Sequence, residues 1–195
     1  MRNRDPKKGK KPSKRTPQQS APGVEDRLAP EADHGEKTYR GSGKLEGLAA
    51  IITGGDSGIG RAVAIAFARE GADVAIGYLS EKEEKDARDT ARLVEDAGRR
   101  CIRRRFNVQD RGACRTFVNA VVKEFGRLDI LVNNAAYQKE QKSILDITEE
   151  QLDSTFRTNI YGYFFMVQAA LPHMRKGAVI INTGSVTALR GNEGL

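Results

Sequence analysis

Eight residues carry the densest chemical signal in the chain: Thr53-Gly54-Gly55-Asp56-Ser57-Gly58-Ile59-Gly60. They follow an apolar run at 48–52 and open a helical pattern that continues to Glu70. A strand, a glycine-rich turn and a helix in that order form a corner suited to phosphate. Gly54 and Gly58 let the backbone turn where a Cβ would obstruct it, and Gly60 lets helix and strand approach closely. The helix N-terminus offers free N–H groups and a partial positive charge to a pyrophosphate, with Asp56, Ser57 and Ile59 completing the loop. The spacing is Gly-x-x-x-Gly-x-Gly, not the commoner Gly-x-Gly-x-x-Gly. Glycines also mark ordinary strand–helix turns, so the rest of the chain has to decide between the two readings.

The elements that must position this loop follow in strict alternation. Strand one is read at 48–52, with helix one at 58–70 burying Val63, Phe67 and their small neighbours and ending at Gly71. Strand two is read at 73–79 and helix two at 81–97, with Ala87, Ala91, Val94 and Ala97 inward. Strand three, at 101–108, is basic at Arg103-Arg104-Arg105, which suggests a sheet edge. Helix three starts near Asp110, turns Cys114, Phe117, Val121 and Phe125 inward and stops at Gly126; strand four is 128–132. A long helix then opens with a capping box, Thr148 with Gln151, and an Ile147/Leu152 staple. Its apolar face reads Leu152, Phe156, Ile160, Tyr163, Val167, Leu171, and strand five is 178–182. Single helices between strands give right-handed crossovers and a parallel sheet covered on both faces.

The formal charge of +7 on 195 residues is local. Residues 1–20 hold eight Lys/Arg and one acid, leaving 25 of the 33 basic and 25 of the 26 acidic residues in 21–195. Residues 1–43 are rich in Lys, Arg, Pro, Gly and Gln and poor in large apolar groups, so disorder is expected there. The run Lys7-Lys8-Gly9-Lys10-Lys11 reads as a solvated extension in preference to a nucleic-acid or anionic-membrane contact. No apolar stretch follows the basic residues as in a secretory signal, and no run approaches the ~18 apolar residues needed to span a bilayer. Cys101 and Cys114 lack metal-type or Cys-x-x-Cys spacing and fit buried, inert roles in a reducing, cytoplasmic compartment.

Four markers in order now resemble one family, the short-chain dehydrogenase/reductases. They are the glycine loop, Asn133-Asn134-Ala135-Ala136 after strand four, Asn159 inside the long helix, and Asn182-Thr183-Gly184-Ser185 after strand five. The basic, Pro-rich extension is similar to that of a stress-associated bacterial subgroup. The resemblance implies an α/β fold: a Rossmann-like doubly wound parallel sheet over 44–195, incomplete, with strands one to five only. It implies hydride transfer between a nicotinamide cofactor and an alcohol, aldehyde, ketone or sugar. It implies that Asn159 holds a water in a proton relay and that Ser185 binds the substrate oxygen. Asn133 and Ala135 would lie beside the cofactor ribose, although this chain has Asn-Asn-Ala-Ala where the family usually has Asn-Asn-Ala-Gly. Homo-oligomers are expected of the full-length protein, and neither nucleic acid nor membrane is an expected partner.

The cofactor is expected to be NADP in preference to NAD. The family's NAD enzymes carry an acid at the end of strand two; here that stretch is Gly77-Tyr78-Leu79-Ser80. Without the acid there is room for a 2′-phosphate, for which Ser57, Ser80 and Lys82 are candidate contacts. Tyr78, Asn107 and Val108 belong to the adenosine end, Asn107 standing where the family has an adenine-contacting Asp.

The family's Tyr-x-x-x-Lys pair, a general acid/base with its activating Lys, would fall just beyond Leu195. Tyr78 to Lys82 matches that string only by coincidence, at the wrong end of the site. The 195 residues alone are therefore expected to be inactive. The alternative is a non-catalytic nucleotide-binding or interaction module whose basic tail makes the contacts.

Overall fold

The structure is a computed structural model that describes residues 23–27 and 32–191. One parallel sheet of five strands forms the centre, in the order β3-β2-β1-β4-β5. The strands are β1 (Ala49–Thr53), β2 (Asp73–Tyr78), β3 (Cys101–Arg105), β4 (Leu128–Asn133) and β5 (Met174–Asn182). The helices are α1 (Gly58–Arg69), α2 (Glu84–Asp96), α3 (Arg111–Phe125), α4 (Glu149–Phe156) and α5 (Tyr163–Ala170). The chain builds outward from β1 to β3, then returns to lay β4 on the other side of β1. The carboxyl ends of β1 and β4 therefore flank a topological switch point, where open α/β sheets form a crevice.

Every residue of β1 and β2 is buried, as the near-continuous apolar runs of a two-sided parallel sheet require. Ala50, Ile52, Val74, Ile76 and Val132 pack under α1 and α2; Ala49, Ile51, Ala75 and Leu131 pack under α3 and α5. α3 buries Cys114, Phe117, Val121 and Phe125 as read, adding Val118. Its N-cap, Asp110, accepts the Ala113 N–H at 3.0 Å. On α1 the residues nearest the sheet are Ala64, Ile65 and Ala68; Val63 and Phe67, read as inward, are half-buried at its margin. Two alanines allow the helix to sit close, and the larger side chains take the flanks.

The apolar face assigned to the long helix is corrected in part: Val167 packs against the core and Tyr163 is half-buried, but the other four positions face out. Leu152, Phe156 and Ile160 are 51%, 52% and 56% exposed, and Leu171 is also exposed. The buried positions are Thr158, Gly162, Met166 and Ala170. Gly162 lies against the loop after β3, where a Cβ would come within 2.9 Å of Val108. Two stripes share the four-residue spacing, and the smaller-residue stripe faces inward because it permits that approach. The helix is also not uniform: Arg157–Gly162 is a π-helical turn between α4 and α5. Only half of the expected capping box forms. Thr148 accepts the Gln151 N–H at 3.2 Å, but the Gln151 amide donates to the Lys139 carbonyl instead. Ile147 and Leu152 are both exposed, so they do not form a buried staple.

β3 is an edge strand as expected, and β5 forms the other edge, with Val179 and Ile181 exposed. Within the stretch expected to be disordered, residues 35–43 make polar contacts with the end of α1. Arg69, at the end of α1, donates to the carbonyls of Gly35, Glu36 and Tyr39. Glu70 accepts the Tyr39 hydroxyl and the N–H groups of Ser42 and Lys44, which hold its carboxyl down at about 2. Polar contacts therefore dock this strap along α1. The Lys7–Lys11 run lies outside the described residues.

Candidate functional site

A cavity of about 540 Å³ opens at the carboxyl ends of β1, β2 and β4. Nine predicted binding residues line it: Gly54, Asp56, Ser57, Gly58, Ile59, Tyr78, Asn107, Val108 and Ala135. Gly60, Ser80 and Asn133 do not line it. Its volume lies within the ~300–1,000 Å³ typical of small-molecule and cofactor sites.

The glycines divide the work. Gly58 has φ +51 and nothing within 4 Å of where a Cβ would stand, so it presents open backbone to the cavity. Gly60 is the opposite case: its Cβ would stand 1.8 Å from the Gly54 carbonyl oxygen and 2.8 Å from Asn134 Nδ2. It is a packing glycine beneath the loop. Ser57 caps α1 with extended backbone and no side-chain cap bond. The N–H groups of Ile59 and Gly60 accordingly have no hydrogen-bond partner among the described residues, as first-turn donors often do not.

Asn134, which sequence reasoning passed over in favour of Asn133, ties the loops together. Its Nδ2 donates to the carbonyls of Thr53 (3.2 Å) and Gly54 (3.1 Å), and its Oδ1 accepts the Thr183 hydroxyl. Asn133 is fully buried and donates to Asn182 Oδ1 at 2.9 Å, so it joins β4 to β5. In an Asn-Asn pair ending a strand, alternation sends the two side chains to different faces, and sequence alone does not say which faces the loop.

The end of the cavity between β1 and the start of α2 is acidic. Asp56 is 2% exposed, its Oδ2 has no partner among the described residues, and burial with Glu83 and Asp86 nearby pushes its carboxyl up to about 6. Burial also raises Glu83, which lines the cavity and accepts the Ser80 and Leu79 N–H groups. Beneath the loop Arg61 donates to the Asp56 carbonyl (3.0 Å) and pairs with Asp86. Tyr78 donates its hydroxyl to Glu84, and Lys82 lies in the short 3₁₀ turn Glu81–Glu83, outside the cavity lining.

Asn107 accepts the Gln109 N–H, and Gln109 reaches Thr158 at 2.8 Å, which links the loop after β3 to the π turn. In that turn Asn159 accepts the Tyr137 N–H (2.8 Å) and donates to the Tyr137 carbonyl (2.9 Å). Its amide thus clamps the loop after β4. Ser185 is exposed and outside the cavity lining, its hydroxyl 2.7 Å from that of Thr187. The site geometry therefore brings together the binding loop but not Asn159 and Ser185 with it. Burial pushes the Cys101 and Cys114 thiols up to about 12, so neither is a nucleophile at neutral pH.

One contributor comes from the strap. Glu25 accepts the Gly58 N–H at 2.9 Å, and residues 23–25 line the cavity. No local pattern around Glu25 announces that contact across 33 residues.

An open loop glycine, free first-turn N–H groups and an orphaned buried carboxylate suit a dinucleotide's pyrophosphate and ribose hydroxyls. The profile of a family described as Enoyl-(Acyl carrier protein) reductase matches residues 54–195. Uncharacterized oxidoreductase YhdF of Bacillus subtilis is 52% identical over 178 residues, 91% of this chain and 61% of the relative. General stress protein 39 of the same organism is 46% identical, covering 90% and 60%. Glucose and ribitol dehydrogenase of Daucus carota is 45% identical, covering 90% and 62%. The chain thus spans about three-fifths of these relatives' lengths. A short chain dehydrogenase from Burkholderia cenocepacia in complex with NADP superposes with TM-score 0.72 at 38% identity, over 77% of this chain and 60% of its own. Carveol dehydrogenase from Mycobacterium avium in complex with NAD gives 0.72 at 29%, over 78% and 60%.

Proposed function

The chain belongs to the short-chain dehydrogenase/reductase family, and from that premise we propose that it serves an NAD(P)-dependent oxidoreductase acting on a small alcohol, aldehyde, ketone or sugar. The observation that carries this reading is the cavity at the β1/β4 switch point, with its free α1 N–H groups. Bound there, a nicotinamide dinucleotide supplies a hydride donor or acceptor.

The protein's own residues bind and orient. The N–H groups of Ile59 and Gly60, with the α1 dipole, suit the pyrophosphate; Asn107 and Val108 suit the adenine. Thr53 and Asn134 keep the loop in shape. Asn159 is a positioning residue for the loop after β4, and Ser185 would meet the substrate oxygen.

The acidic adenosine end changes the cofactor preference expected from the sequence. Asp56 and Glu83 stand near the place where a 2′-phosphate would require cations, and Ser80 and Lys82 are outside the cavity lining. Ribose hydroxyls can donate to an orphaned carboxylate; a phosphate is repelled by it. We therefore favour NAD over NADP.

The residues present are proposed to bind the dinucleotide through this cavity. The exposed stripe on α4 and α5 is the proposed contact between subunits of the full-length protein, which would act in the cytoplasm. Titrating NADH and NADPH while following nicotinamide fluorescence tests the binding: NADH should bind more tightly, and failure of both to bind would sink the reading.

A further inference from the structure

We propose that residues 23–27 are an intramolecular occupant of the pyrophosphate end of the cavity, which a dinucleotide must displace in order to bind. The proposal rests on the cofactor reading above. Glu25 places a carboxylate on the Gly58 N–H at 2.9 Å, at the positive end of α1, where an anionic ligand would sit. Its backbone N–H donates to Asp86 Oδ2 at 2.9 Å.

His34, only 8% exposed, stands beside the other carboxylate oxygen: its Nε2 is 3.1 Å from Glu25 Oε1 with no hydrogen bond between them, while its Nδ1 is 3.2 Å from Glu36 Oε1. The strap is secured again at the far end of α1, where Arg69 and Glu70 collect its backbone groups. Residues 35–44 are thus anchored at the end of α1, and residues 23–25 lie in the site. A carboxylate on the Gly58 N–H and a diphosphate on the adjoining first-turn N–H groups crowd one helix end, and their charges repel. The docked end is held by the Gly58 N–H on the Glu25 carboxylate and by the Glu25 N–H on Asp86, hydrogen bonds that an entering dinucleotide must replace.

An occupant of the binding-competent state lowers apparent affinity by the fraction of time it is docked; nine-tenths docking corresponds to about tenfold. The experiment measures the NADH dissociation constant of the whole chain, of Glu25→Ala and of Gly41→Val. The second variant lies far from the cavity. A Cβ at Gly41 would stand 1.8 Å from the Arg69 carbonyl oxygen, so the strap must lift from α1.

Both variants should bind NADH roughly tenfold more tightly than the whole chain, and NADH should accelerate tryptic cleavage after Arg27. Unchanged affinity in both overturns the proposal, as does weaker binding by Glu25→Ala, which would make the strap part of the ligand's own site. Binding by none of the three chains overturns the cofactor reading and this proposal with it.

Discussion

Thr53 Oγ1 accepts the backbone N–H of Asn134 at 2.9 Å, and the Asn134 amide returns a bond to the Thr53 carbonyl. The end of β1 is thereby the fixed point from which the loop after β4 hangs. The same hydroxyl also accepts the Ala135 N–H at 3.0 Å, so one oxygen satisfies two backbone donors. Thr53 is 1% exposed. Thr53→Val keeps the shape and strands both donors, at ~1–3 kcal/mol for each buried group left unpaired. A loss of about 2 kcal/mol is expected in urea unfolding after partial rescue by cavity water, with Thr53→Ser near wild type. Equal losses in the two variants would refute the hydroxyl's role.

Gly58 and Gly60 should separate binding from folding. At Gly60 a methyl group meets the Gly54 carbonyl at 1.8 Å, and backbone cannot give way as a side chain can. Gly60→Ala is expected to cost ~2–4 kcal/mol, visible as a large fall in melting temperature. Gly58→Ala meets nothing, but its φ of +51 costs ~1–2 kcal/mol, and its methyl group points into open cavity. It should melt slightly lower and bind NADH much more weakly. If Gly60→Ala melts like wild type, the close packing of loop and helix is wrong.

Asp56 should make stability depend on pH in an unusual direction. Its carboxyl rises from 3.8 to about 6 on folding, so the folded state holds the proton more tightly than the unfolded chain. Stability from this group therefore falls as pH rises from about 4 to 6, and the full penalty applies above 6. Asp56→Asn removes the titration. The variant should be more stable than wild type by about 3 kcal/mol at pH 7.5 and lose most of that advantage at pH 4, read from paired thermal melts. An undiminished advantage at pH 4 would assign the effect to packing and not to ionisation.

What could be read from the sequence was what is local or continuous. The glycine loop is eight adjacent residues, and β1 and β2 are buried on both faces, so their apolar runs stand out without any periodicity. The contacts of residues 35–44 with Arg69 and Glu70 were not legible because composition counts apolar groups, whereas these contacts run through backbone carbonyls and N–H groups. The Asp56 environment was invisible for a related reason. Its partners Glu83 and Asp86 come from the start of α2, and only the β1–β2 crossover brings them under the loop. The inward face of α4 and α5 was misjudged because hydrophobicity ranks Phe156 above Thr158, while close approach to the Val108 loop favours the smaller residue.

The outward stripe that misled the reading supplies the last prediction. Phe156, Ile160 and Phe164, at four-residue intervals, are all more than half exposed, with Leu152 and Leu171 extending the row. Isolated exposed apolar residues are ordinary, but a continuous row of this kind marks a contact surface or an aggregation liability. Phe156→Glu with Phe164→Lys places charges in that row without touching Met166 or Ala170, which face the core. The double variant should keep the wild-type melting temperature within about 1 kcal/mol of stability, as substitutions at solvent-facing positions do. In sedimentation at rising concentration, the wild-type chain should self-associate and the variant should remain monomeric. Association unchanged by the two charges would move the contact elsewhere, and the exposed edge of β5, with Val179 and Ile181, would be the next surface to alter.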